Sequence, residues 1–326
     1  RLAGRHRRRP EVGCRIVGME TASYEEVAKQ LDQALEFCAA LGLADAVATS
    51  RFSTYRASID RLVEATRGPR PSPISEQIQG DMLPYLTALI ETTEFTALLP
   101  FLSSCNPDVL RPKLRDVLRG PELPSEEDEN SNQARNVLFE LNLASKLWRA
   151  GLKPELGEHP DVSCVVQGKA LLIECKRPLS VRGAKECLSR ARRQILAQLK
   201  KRQVGARGVI ALSLSKVLNR GDKLFGYDHE AQGREGLHQH VRKAAARFRA
   251  SWQKQPNDII GVIFHVITPA VDRTTNLYVS AQHMNIHPLA RDGSLDHRIL
   301  RAFGASLEEM WNADPARAAR VGDPRS

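Results

Sequence analysis

Aromatic residues are scarce, 5% of a 326-residue chain. No apolar run approaches the ~18 residues that a membrane-spanning helix requires, so no membrane span enters the reading. Cysteine is sparse too: the 6 present form no Cys-x-x-Cys pair, which argues against both a disulfide framework and a zinc ribbon. Cys164, Cys175 and Cys187 fall in predicted core elements and read as packed thiols. A reducing, cytoplasmic setting is therefore expected. Residues 1–18 are Arg-rich without the apolar stretch of a secretory signal. No helix-turn-helix or zinc-finger pattern is present, so sequence-specific reading by such a module is not expected. His283 and His287 are four apart, as helical zinc ligands would be. They flank Asn285 near Pro288 with no Glu in the metalloprotease position, so a zinc site there is set aside. His265 stands among apolar neighbours and reads as a hydrogen-bonded core histidine.

What the chain does have is positive charge. The formal net charge is +10 and the pI about 9.5, a balance that points to polyanionic partners. About half of the excess lies in Arg1 to Gly18 and a second concentration between Arg182 and Arg207. The second could form a phosphate-binding surface or a plain solvated helix face.

At ~150 residues per domain, the length suggests roughly two domains. Residues 1–18 read as a disordered basic extension and residues 19–120 as an all-α domain. Its signals are a Ser23-x-x-Glu26 capping box, then Val27, Leu31, Leu35 and Cys38 on one face. A second helix runs from Phe52 to Ala65, stopped by Gly68-Pro69-Arg70-Pro71, with further helices around Ile74 to Leu102 and Val109 to Leu118. Residues 121–133 are polar and acidic and read as a flexible linker. Residues 134–290 read as an α/β domain and 291–326 as a tail with one short helix, Ser306 to Trp311.

Within the α/β part the pattern is helix, hairpin, helix, strand. Ala134 to Ala150 is the helix, with Val137, Leu138, Leu141 and Ala144 on its apolar side and Glu140 at the edge. Val162 to Val166 and Lys169 to Cys175 are strands about a Gln167-Gly168 turn. A two-residue loop pairs Val166 with Lys169, and stepping outward brings Asp161 opposite Glu174. Directly opposed residues share a face, with Cβ atoms roughly 4.5–5.5 Å apart. Two carboxylates there repel, and a divalent cation between them reverses that sign. Strand alternation puts Lys176 on the same face, where an ammonium can orient a water or offset developing negative charge. A solvent-facing hairpin is the plain alternative. Against it stands Ala170-Leu171-Leu172-Ile173, an apolar run typical of a strand buried on both faces. A strand at Val209 to Leu214 follows a helix over Ala184 to Arg202, and Ile259 to Ile267 and Asn276 to Gln282 add further strands.

Pro160-Asp161 followed by Glu174-Cys175-Lys176 resembles the signature of the PD-(D/E)xK nuclease superfamily. Glu140 stands on a preceding helix, where many members carry another acidic residue. Gln194 to Gln198 resembles the Gln-x-x-x-Tyr motif of some members, with Gln198 in place of the Tyr. The resemblance covers roughly Asn132 to Ser215. It implies a restriction-endonuclease-like mixed sheet flanked by helices, and endonucleolytic or exonucleolytic hydrolysis of phosphodiester bonds, in DNA rather than RNA. It further implies Mg²⁺ held by Asp161 and Glu174, with the Cys175 backbone carbonyl as a further ligand, Mn²⁺ as a substitute, and Lys176 positioning the attacking water. Glu140 is either an outer metal or water ligand or an intrahelical partner of Asn136. Gln194 either binds a phosphate or metal-bound water or is a boundary residue. A homodimer is left open, since two-fold dimers are common among enzymes that cut both strands. The alternative function is a catalytically silent nucleic-acid-binding or assembly module on the same fold.

Overall fold

The computed structural model describes residues 14–20, 23–66, 82–201, 205–219, 223–274 and 277–313. The Gly68 to Pro71 stop, the segment before residue 82 and most of the basic extension lie outside them, as do residues 220–222 and the last part of the tail. The described chain begins with β1 (Cys14–Glu20). Helix α1 (Tyr24–Cys38) starts where Ser23 accepts a hydrogen bond from the Glu26 N–H at 3.1 Å, and it buries Val27, Leu31, Ala34 and Cys38 at helical spacing. A π-helical turn over Ala39–Leu43, with Gly42 at φ 81°, leads into α2 (Ala44–Ala48) and α3 (Arg51–Thr66). Pro84 and Pro100 lie in the first turns of α4 (Leu83–Thr96) and α5 (Leu99–Leu102), where a missing N–H costs nothing. Asn106 caps α6 (Pro107–Leu118).

Helix α7 (Gln133–Arg149) opens the α/β half. Then come β2 (Glu155–Leu156), β3 (Val162–Val166), β4 (Lys169–Lys176), α8 (Val181–Leu199), β5 (Arg207–Ser213), α9 (Ser215–Leu218) and β6 (Phe225–Tyr227). The chain continues through α10 (Glu230–Ala246), α11 (Arg249–Gln253), β7 (Ile259–Asp272), β8 (Leu277–Pro288) and α12 (Leu295–Asn312). The sheet order is β1-β8-β7-β5-β4-β3-β2, with β6 beside β7. The β4–β5 and β5–β7 pairs are parallel and the β2–β3, β3–β4, β7–β8 and β1–β8 pairs antiparallel, which makes the sheet mixed. Leu171 to Cys175 is buried throughout, as expected of a central strand covered on both faces. Ile173 and Cys175 face the α7 side, whereas Ile210 and Leu212 on β5 pack with Ala184, Leu188 and Ile195 of α8.

Four expectations change. Residues 14–18 are not disordered: they belong to β1, which pairs along β8 from Cys14↔Ile286 to Glu20↔Ser280 and so covers an edge strand. The 121–133 segment is not simply flexible, because Glu127 is buried and bonded to Arg177 by both carboxylate oxygens, at 2.8 and 2.6 Å. The tail helix is much longer than Ser306 to Trp311. Ser294 caps it, and Ile299, Leu300, Phe303 and Leu307 join the core. His265 is buried in β7 but neither ring nitrogen has a hydrogen-bond partner among the described residues; the ring stacks on Phe139 with centroids 5.3 Å apart. One apolar cluster runs from Leu31 of α1 through Phe95 and Leu114 to Leu141, Ile173 and Ile263. The N-terminal helices and the sheet thus share a core.

Candidate functional site

Gln167 and Gly168 have φ of 49° and 73°. Two successive left-handed residues make the two-residue hairpin loop whose twist matches that of its strands. The pairing runs from Val166↔Lys169 to Val162↔Ile173, so one further step sets Asp161 against Glu174. Lys176 completes the group: its Nζ lies 2.9 Å from Glu174 Oε2 and 3.3 Å from Asp161 Oδ2. The Cys175 N–H donates to Asp161 Oδ2 at 2.7 Å and holds that carboxylate toward β4.

The cluster is buried, with Glu174 at 0% and Asp161 at 5% relative exposure. Burial, reinforced by the Asp161 charge, pushes the Glu174 carboxyl up to about 8 against the pull of Lys176. Burial alone would lower Lys176, but the charges of Asp161 and Glu174 outweigh it and hold the ammonium above its ordinary range. Glu174 Oε1 has no hydrogen-bond partner among the described residues. Buried and without a hydrogen-bond donor, that oxygen has lone pairs to offer a proton or a cation.

The side chain facing that oxygen is His159, which motif reading missed. Its Nδ1 lies 3.6 Å from Glu174 Oε1. Donor atoms of His159, Asp161 and Glu174 all lie within 4.8 Å of one another, the one grouping of this kind among the described residues. No spacing rule marks His159, because residues 158–161 bend rather than extend, and only the tertiary structure brings its ring to Glu174. Gln194 of α8 completes this edge. Its Nε2 is 3.2 Å from His159 Nδ1, while its Oε1 is buried without a partner among the described residues.

The remaining candidates stand differently. Glu140 is not in the metal-competent group and does not bond Asn136. Its Oε2 accepts from Lys113 Nζ of α6 at 2.8 Å. Burial, then the Asp161 charge, raises its pKa, so it belongs to the same electrostatic neighbourhood. Cys175 contributes its N–H, and its thiol is buried on the α7 side, where burial pushes it far up. His283 and His287 lie on β8, not on a helix, and His283 Nε2 is 3.2 Å from His238 Nδ1. Arg182, Lys185, Arg190 and Arg193 of α8 are exposed, on the helix that also carries Gln194.

No helix among the described residues is long and apolar enough to cross a membrane. Comparison with protein-family models, curated proteins and solved structures gave no match. Fold and site together define a mixed α/β protein with a buried carboxylate pair, a lysine and a histidine at the end of β4.

Proposed function

We propose that the protein is a metal-dependent nuclease of the PD-(D/E)xK, restriction-endonuclease-like type, hydrolysing phosphodiester bonds in DNA. The observation that carries this reading is the pairing of the unpartnered Glu174 Oε1 with Asp161 and His159 around one point, beside Lys176. Two buried carboxylates and an imidazole are a donor set that fits a divalent cation. Asp161 and Glu174 would hold Mg²⁺ or Mn²⁺, with His159 as a third donor. The bound ion supplies a water of lowered pKa and neutralises phosphoryl oxygens. The protein's own residues do the rest. Lys176 orients the attacking water by hydrogen bonding and offsets charge that develops on the phosphoryl group. The Cys175 N–H fixes Asp161, and Gln194 fixes His159. The exposed arginines and lysines of α8 offer phosphate contacts beside the site.

The test is cleavage of single- and double-stranded DNA with Mg²⁺ or Mn²⁺, with an EDTA control. Wild type is compared with Asp161→Ala, Glu174→Ala and Lys176→Ala. Metal-dependent cutting abolished by each substitution is expected. Cutting that survives them, or survives EDTA, rejects the assignment. Lys176 already neutralises part of the carboxylate charge without a metal. That self-sufficiency favours the silent binding module if DNA is bound in EDTA and never cut.

A further inference from the structure

On the other face of the sheet lies a second cluster of charge, built around Glu91 and Glu127. Glu91 pairs with Arg51, Nε to Oε2 at 2.8 Å, and with Arg135. Glu127 pairs with Arg177 at 2.6 Å, with Lys216 at 3.3 Å and with Arg135 at 3.4 Å. All six residues are buried, from 4% to 8% exposed. Four cations thus share two carboxylates. A third acid, Glu94, is about half-ionised near neutrality and offsets only part of that excess. Burial, then the charge of Glu91, raises its pKa to about 7. Buried excess charge is costly unless a counter-charge meets it. Arg51 Nη2 and Arg135 Nη1 are buried and find no hydrogen-bond acceptor among the described residues.

Arg135, Arg177 and Lys216 line an open pocket together with Glu91 and Glu94, and Ile90, Leu138, Phe139 and Ile267 make its apolar part. It lies past the last residues of the parallel strands β4 and β5, where open α/β sheets place their ligands. The excess of cations supplies positive charge for an anionic head and the apolar residues a surface for a flat ring.

We propose that this cavity binds a small organic anion, a phosphate or carboxylate head on a flat apolar body, with the head on Arg135, Arg177 and Lys216. The site is separate from the carboxylate cluster, because successive residues of an extended chain point to opposite faces and Arg177 follows Lys176. It stands whether or not the protein cuts DNA.

The test is calorimetric titration of the full chain in EDTA with adenosine 5′-monophosphate, benzoate and inorganic phosphate. Saturable one-to-one binding of an organic anion, tighter than inorganic phosphate, is expected. Preference for the nucleotide assigns a phosphate head, and preference for benzoate a carboxylate. Lys216→Met should weaken binding about ten-fold by removing one of the positive charges that line the pocket. Ile90→Trp fills the apolar side, leaves every charge in place and should abolish it, and Asp161→Asn should leave it intact. Both cavity variants are first checked for a cooperative thermal transition, and either one alone suffices for the comparison. The proposal is overturned if no probe binds saturably, or if inorganic phosphate binds as tightly as the organic anions. It is also overturned if binding survives in whichever cavity variant folds, or is lost in Asp161→Asn.

Discussion

Lys113 Nζ lies 2.8 Å from Glu140 Oε2, joining α6 of the N-terminal helices to α7 of the α/β half. Both side chains are largely buried, at 15% and 10% exposure. The N-terminal helices therefore supply the cation that answers an acid standing close enough to Asp161 to feel its charge. Replacing Lys113 by Met leaves Glu140 buried without its partner. A loss of about 1–3 kcal/mol is expected, somewhat under the cost of breaking a fully buried pair. Chemical denaturation of the variant and of Lys113→Met with Glu140→Gln checks it, because the double variant should recover much of the loss.

Glu174 makes stability pH-dependent. Its folded pKa of about 8 exceeds the ordinary 4.5, so the native state binds the proton more tightly than the unfolded state. Its contribution is fully present below about pH 4.5 and is lost as the pH rises toward 8, by at most ~1.4 kcal/mol for each pH unit crossed. In EDTA, wild type should therefore lose thermal stability relative to Glu174→Gln between about pH 5 and pH 8.5. Adding Mg²⁺ at the alkaline end of that range should restore wild type and leave the variant unchanged. Parallel melting curves for the two proteins across this range would contradict the burial argument.

His159→Ala removes the half-exposed donor of the metal-competent group but not the two carboxylates. Metal affinity, read by calorimetry with Mn²⁺, should fall on the order of ten-fold, as for loss of a supporting group at a metal site. Gln194→Leu should produce a smaller fall in the same direction, since Gln194 acts through His159. A Gln194 effect exceeding that of His159 would mean that Gln194 meets the ion or substrate itself.

The hairpin loop should be intolerant of branched side chains at its second position. Gly168 has φ 73°, a left-handed conformation that costs other residues about 1–2 kcal/mol. Gly168→Val should lower stability by at least that amount, whereas Gly168→Asn should cost less. Urea midpoints for the two variants decide this.

Gly208 at the start of β5 leaves no space for a side chain. A Cβ there would lie 2.4 Å from Ile195 Cγ2 on α8. Gly208→Ala should destabilise by about 1–3 kcal/mol through overpacking, and Ile195→Ala in the same chain should relieve part of that cost.

The reach of the sequence follows the range of the forces involved. The Gln167-Gly168 loop is a local choice with only a few solutions, and side-chain alternation propagates it without error to Asp161, Glu174 and Lys176. The caps at Ser23 and Asn106, the apolar stripe of α7 and the parallel β4–α8–β5 unit are likewise short-range. What only the tertiary structure decided comes from distant segments meeting. Lys113 claims Glu140, and Gln194 reaches His159 across 35 residues. Glu127 sits in an acidic run whose neighbours face solvent, yet it turns inward because Arg135, Arg177 and Lys216 converge there. Residues 14–20 show no strong local signal and are ordered by what they cover, the edge of β8, whereas the C-terminal helix carries its own cap at Ser294 and an apolar stripe, Ile299, Leu300, Phe303 and Leu307, that the core receives. Local propensity writes the hairpin. The cost of leaving a backbone edge, an apolar face or a charge uncompensated determines the rest.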